Sequence, residues 1–205
     1  MTRTLTGLYD DYADAEAAVR DLEAAGIRDA DISLFARDSG TIAKREVKEG
    51  NESGTGAGAG AAFGAIVGGG SGLLAGLGML AIPGIGPVVA AGWLVAAAAG
   101  AVGGAVVGGA GGGLIGAMIG NGVPEQDAHV YAEGVRRGGT LVSVRVEEAQ
   151  AGTVYAILRR HRAVDPAERR RIYGKMGWTS FDENAPAYTD AEFERERRAR
   201  SSTLV

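Results

Sequence analysis

Ala81-Ile-Pro-Gly-Ile-Gly-Pro-Val-Val-Ala-Ala-Gly92 lies near the middle of the longest uncharged run in the chain. Residues 53–124 hold no Asp, Glu, Lys or Arg, and 25 of the 35 glycines fall there. In a chain of 205 residues that glycine content is more than twice the ordinary share. The glycines on either side of the quoted stretch keep a period. Gly56, Gly60, Gly64, Gly68, Gly72 and Gly76 precede it, and Gly100, Gly104, Gly108, Gly112, Gly116 and Gly120 follow. Spacing by four draws a ridge without side chains along a helix, where a second backbone can approach closely. Pro83, Gly84, Gly86 and Pro87 break a helix, so they are read as the turn of a glycine-zipper helical hairpin. Its arms cover 56–82 and 88–120, and pairs such as Gly68 with Gly108 put the fold point near Val88.

Each interior glycine costs a helix about 1 kcal/mol relative to alanine, so such arms need an environment that rewards close packing. Two environments meet that need. Each arm exceeds the roughly 20 residues that span a bilayer core. The turn carries no charge, while Lys44, Arg45, Lys48, Arg136 and Arg137 flank the base. This predicts a hairpin in the cytoplasmic membrane, with both termini cytoplasmic. Alternatively the arms pack against other copies in a soluble assembly. Glycine and alanine are weakly apolar, and Phe63 and Trp93 are the only aromatic residues in the block. Both readings predict a homo-oligomer. They differ in whether a lipid bilayer is a partner.

Outward from the block, the flanks read as two halves of one α+β domain. Residues 4–9 alternate as a strand, Asp10, Asp11 and Asp14 suit a helix start, and Ala15, Val19, Leu22 and Ala25 keep helical spacing up to Gly26. Residues 32–35 form a second strand. Behind the block, 125–137 reads as a helix that starts after Pro124 and stops at Gly138. Residues 140–146 alternate Leu141, Ser143 and Arg145 against three valines, and 151–161 carry Val154, Ile157 and Leu158 on one helical face. Ala163-Val164 begins a short last strand. The order βαβ, insertion, αβαβ predicts a split ferredoxin-like sandwich, a four-stranded antiparallel sheet with helices on one face. The divisions are 1–52 and 125–172 for the two half-domains, 53–124 for the hairpin, and 173–205 for a C-terminal arm. In that arm Trp178 and Phe181 are placed to dock, and Asp190 to cap a charged helix over 191–200.

Little catalytic chemistry is available. There is no cysteine, which removes disulfides, thiol catalysis and thiolate metal sites. The two histidines, His129 and His161, are too few for a multi-histidine metal site and fit surface or cap roles. Gly111-Gly-Gly-Leu-Ile-Gly116 matches a dinucleotide-binding string by chance, because no strand precedes it and no acidic residue follows at ribose distance. No phosphate-binding GxxxxGK[ST] occurs. These features predict no enzyme activity, no cofactor and no metal. Arg159, Arg160, Arg162, Arg169, Arg170 and Arg171 form a basic stretch. With a formal charge of −4 overall and no aromatic pattern on the strands, nucleic acid is not the expected partner. Anionic lipid headgroups are the ligand these arginines suit if the hairpin is inserted. No apolar core of a signal peptide follows Met1, which predicts a cytoplasmic location for the flanks.

Three segments resemble a known family. Residues 5–19 resemble the opening of bacterial general stress protein 17M-like, or low-temperature-induced, proteins. Residues 81–92 are similar to their mid-chain turn, and Val123-Pro-Glu-Gln-Asp-Ala-His-Val-Tyr-Ala-Glu-Gly-Val-Arg-Arg-Gly-Gly139 to their third segment. The resemblance implies a bacterial stress-response protein and brings no catalytic residues with it. Such chains often have glycine before Ala163, where this one has Arg162, so a different final turn is expected.

Overall fold

The structure, a computed structural model, describes residues 2–37, 78–103 and 113–189, together with 191, 192, 195 and 198. Strand β1 (Thr2–Tyr9) leads through helix α1 (Tyr12–Ala24) and a 3-10 turn (Asp29–Asp31) into β2 (Ile32–Arg37). Strands β3 (Gly78–Ile82) and β4 (Gly86–Gly92) precede helices α2 (Trp93–Gly103), α3 (Leu114–Gly120) and α4 (Glu125–Arg136). Then come β5 (Thr140–Glu147), α5 (Glu148–Arg160) and α6 (Pro166–Lys175). The fold is α+β. Its sheet has the order β1-β5-β2-β4-β3, and every neighbouring pair is antiparallel.

The alternation seen in the flanks divides the sheet into two faces. Tyr9, Leu34, Ala36, Val142, Val144 and Val146 pack with Ala18, Val19 and Leu22 of α1 and Val154, Ile157 and Leu158 of α5. The other face presents Leu8, Phe35, Val88, Ala90 and Leu141, covered by Leu94 and Ala98 of α2, Leu114 and Met118 of α3, and Ala128 and Ala132 of α4. Side chains this deeply buried stabilise by about 1.5–3 kcal/mol each. A polar row crosses the second face. Thr6 lies opposite Ser143, and Ser143 opposite Ser33. The Thr6 and Ser143 hydroxyls are 2.9 Å apart, and Ser33 Oγ accepts from the Leu94 amide at 2.9 Å, so a β2 side chain satisfies an amide at the start of α2. Gly92 makes that junction possible. It takes φ +94°, and a Cβ there would fall 2.6 Å from Ser33 Cα and 2.7 Å from its Oγ.

Several sequence expectations change. The sheet has five strands rather than four, and helices cover both faces rather than one, because the uncharged block supplies a hairpin and a second helical layer. Pro83, Gly84, Gly86 and Pro87 do sit at a reversal, but it joins β3 to β4. Pairing from Gly78↔Ala90 to Ile82↔Gly86 centres the fold point on Gly84, not Val88. The arm expected as one helix over 88–120 starts as a strand. It cannot run helically into α3, because Gly113 takes φ 74°, ψ −137°. Gly100 lies in α2, and Gly116 and Gly120 in α3. Gly56, Gly60, Gly64, Gly68, Gly72, Gly76, Gly104, Gly108 and Gly112 lie outside the described residues, so the zipper pairing does too. Among the described residues no helix is long and apolar enough to cross a membrane.

The expected last strand is reduced to one bond, Val164 N–H to the Leu8 carbonyl at 2.8 Å. Pro166 then opens α6, whose start is capped by Asp165 accepting from the Glu168 amide. The turn before it keeps the form a glycine would give. Arg162 takes φ 64°, with Ala163 N–H donating to Leu158 O and Arg162 N–H to Arg159 O.

Candidate functional site

Two features built by these elements can receive a ligand or a chain. The first is the seat of the C-terminal arm, at the end of the sheet where β3 turns into β4. Gly84 has φ +73°, and a Cβ there would come within 2.8 Å of Glu183 Cα and 2.9 Å of the Asp182 carbonyl oxygen. At Gly86, φ +94°, a Cβ would come within 3.0 Å of the Ala187 side-chain Cβ. The turn glycines read from sequence as a helix breaker therefore let the arm's backbone lie against the turn. Phe181 closes the gap, 9% exposed among the core residues that include Ile82 and Ile85.

Guanidinium groups hold the rest of the arm. Arg37, at the end of β2, donates to the Tyr188 carbonyl. Arg136 donates to the Pro186 carbonyl at 3.2 Å and lies 4.9 Å over the Tyr188 ring. Glu133, almost fully buried on α4, holds Arg137 at 2.6 Å and Arg136 at 3.5 Å. Arg137 in turn lies 4.5 Å over the Tyr173 ring of α6. Arg169 lies 5.8 Å from the centre of the same ring and grips Asp10 with bonds of 2.9 and 2.6 Å. Burial works to lower the Arg169 pKa, yet Asp10 and Tyr173 together outweigh it and hold the pKa above its ordinary value. Trp178 follows α6 with its amide on the Tyr173 carbonyl and its ring edge-on to Tyr173 at 5.5 Å. The expected cap, Asp190, lies outside the described residues, while Thr189 and Glu192 on either side of it bond to each other. The Thr189 hydroxyl accepts from the Glu192 amide at 3.3 Å, and the Glu192 carboxylate accepts from the Thr189 amide at 2.8 Å.

The second feature is an open groove of about 480 Å³ along the outer edge of β1, where the expected last strand would have run. Thr2 to Thr6 form its floor, Asn121 to Pro124 and Tyr131 one wall, and Tyr155, Leu158 and Arg159 the other. Because the Leu8 carbonyl faces outward to Val164, the alternate residues Thr2, Thr4 and Thr6 turn their main-chain groups the same way. Tyr131 covers one of them, donating to the Thr6 carbonyl at 3.3 Å. Its hydroxyl pKa is pushed up, first by burial and then by Asp127 and Asp165, so it remains a donor.

The chain matches no family model, no curated protein and no solved structure.

The six arginines expected as a headgroup site are drawn to different partners. Arg169 is buried on Asp10, Arg170 pairs with Asp127 at 2.6 Å, Arg162 with Asp14 at 2.8 Å, and Arg160 with Asp21 at 3.4 Å. Arg159 lines the groove, and Arg159 and Arg171 both lie near Asp165. That carboxyl is held below its usual range chiefly by the Glu168 amide, with the two arginines adding to the effect. Asp10 and Asp14 are thus engaged by arginines. Among the described residues no group of three or more acidic or histidine side chains could hold a metal ion. His161 bridges to Asp21 at 2.8 Å, joining α5 to α1. His129 is half-buried, with Nδ1 unpartnered among the described residues. Sequence reading anticipated a docked Phe181 but not the seat. Arg37, Glu133, Tyr173 and Tyr188 lie far apart in the chain, and only Thr189-Asp-Ala-Glu192 marked the arm's far end.

Proposed function

We propose that this chain is a non-enzymatic bacterial stress-response protein acting as a self-assembling scaffold, with association carried by the glycine-every-fourth segment 56–76. In this reading β1, β5 and β2 with α1 and α5 are the ferredoxin-like part of the domain, and the rest is built around it. The observation that carries the scaffold reading is how the uncharged block is used. Ile82, Ile85, Val88, Leu94, Leu114, Met118 and Val123 lie in the domain's own core, so the stretches 78–103 and 113–124 are committed to it. What remains of the block before β3 is residues 53–77, 25 residues long. A bilayer crossing needs about 20 residues of helix. A segment that leaves from β2 and re-enters the same sheet at β3 has to cross an even number of times. Twenty-five residues serve one crossing, not two, which favours packing against other copies. The stress assignment rests on the resemblance of the three quoted segments.

Sedimentation of the full chain with and without Gly64→Leu and Gly68→Leu tests this. A defined particle without lipid that breaks down in the double variant is expected. An unchanged particle size would overturn zipper-driven association. Flotation of the chain with vesicles, resistant to alkaline wash, would instead favour the membrane hairpin, a reading that the charge silence of 53–77 keeps in play.

A further inference from the structure

The seat of the C-terminal arm has the construction of a peptide-binding site. Gly84 of the β3–β4 turn admits the arm's backbone and Gly86 the Ala187 side chain, and two guanidinium groups take the carbonyls of Pro186 and Tyr188. Donors aimed at main-chain oxygens recognise an extended chain whatever its side chains. Two side chains of the arm supply the anchorage: Phe181, nearly buried in the core, and Tyr188, under Arg136. Charge is complementary as well, since the arm brings Asp182 and Glu183 to a seat containing Arg37, Arg136 and Arg137 against the one buried carboxylate of Glu133. The arm pairs with no strand of its own sheet. It also begins immediately after α6 has been closed by its own turn, where Gly177 N–H donates to Gly174 O and Trp178 N–H to Tyr173 O. Thr179 and Ser180, between that turn and Phe181, are exposed. The helix can stay in place while the arm leaves.

We propose that the seat is an exchangeable peptide site, which the arm of a second copy can also occupy, so that two copies trade residues 181–189. Each contact is identical in the two arrangements, so exchange loses none of them and needs only a change of path at Thr179 and Ser180. Arm exchange is separate from association through segment 56–76 and has its own readout.

The probe is a fluorescent peptide of residues 178–189, added to full-length protein. In the Phe181→Ala/Tyr188→Ala variant the chain's own arm loses its anchors, and the peptide should bind saturably. To the wild type it should bind about a hundredfold more weakly, because the tethered arm competes at an effective concentration on the order of millimolar. Arg136→Gln added to the double variant should weaken the peptide about tenfold. A peptide carrying Phe181→Ala should not bind. If the double variant does not fold, Tyr188→Ala alone, which leaves Phe181 in the core, should still bind the peptide about tenfold more tightly than the wild type. Finally, two differently tagged copies carrying Gly64→Leu and Gly68→Leu should co-purify after mixing, and should cease to when both also carry Tyr188→Ala. Equal binding to wild type and folded arm variants, no saturable binding to a folded variant, or peptide binding without co-purification would each overturn the exchange.

Discussion

The two faces of the sheet are covered by different kinds of sequence. One face is closed by α1 and α5, which belong to the charged flanks and show their apolar stripe in ordinary helical spacing. The other is closed mostly by α2 and α3, drawn from a run without a single charge, with α4 and Phe181 completing it. Both faces are buried and contain leucines at most a few per cent exposed. The difference teaches that an uncharged, glycine-rich run is not by that fact an appendage. Here half of it supplies most of the second layer of the domain, and the flanks alone would leave only α4 and Phe181 over Leu8, Phe35 and Leu141.

The largest expected effect falls at the junction between the two kinds of sequence. Gly92→Ala forces a side chain into Ser33 and the Ile32 carbonyl at φ +94°, and should cost about 3 kcal/mol or prevent folding, read by urea denaturation. A cost below about 1 kcal/mol would mean that α2 does not pack on β2 as described. Leu94→Ala and Leu158→Ala then compare the faces directly, since both side chains are buried, one under each layer. Each should cost about 3 kcal/mol, and a Leu94→Ala cost well below that of Leu158→Ala would break the equivalence of the faces.

A smaller effect with the opposite sign belongs to the flank face. Arg162 holds a left-handed conformation that costs a side-chain-bearing residue about 1–2 kcal/mol. Its pair with Asp14 is exposed and contributes little in return. Arg162→Gly should raise the melting temperature by roughly 2–4 °C, and a fall would show that the ion pair outweighs the backbone strain. The smallest effect is a pH dependence of the α1–α5 contact. The Asp21 carboxyl is held below its ordinary value of 3.8, first by its hydrogen bond to His161 and then by the charges of His161 and Arg160. A lowered folded-state pKa means that this stabilisation is present above pH 3.8 and lost as pH falls below it. Asp21→Asn should flatten that part of the stability profile, and an unchanged acid limb would remove the pair from the account.

What was legible in the sequence follows the same division. In the flanks, Val142, Val144 and Val146 alternating with Ser143 and Arg145 announce a sheet with one apolar and one partly polar face, and β5 has that face pattern. Ala15, Val19 and Leu22 mark the buried side of α1. In the block, strand and helix look alike to a periodicity argument. Val88-Val-Ala-Ala91 is buried on both sides, so it has no alternation to show. Its bounds, Pro87 and Gly92, and its paired valines were the local signals of a strand, and glycine at every fourth position masked them. The arm's seat was hidden for another reason. Its residues come from β2, the β3–β4 turn, α4 and α6, and only the folded chain brings them together. The pairing of Arg169 with Asp10, and of Arg170 with Asp127, likewise turned an apparent basic stretch into links between elements.

Two deletions in the full chain test the central claim most directly, one removing residues 53–77 and the other residues 53–124, each closed with a short Gly/Ser linker. After the first, residues 38–52 still connect β2 to β3, long enough for a crossover between parallel strands, which takes about a dozen residues. The account predicts that the first variant keeps the α+β circular dichroism and a cooperative melt, and that the second loses both. A second variant that melts cooperatively with mixed α/β signal would contradict it, because the flanks would then form a domain without the layer the block provides.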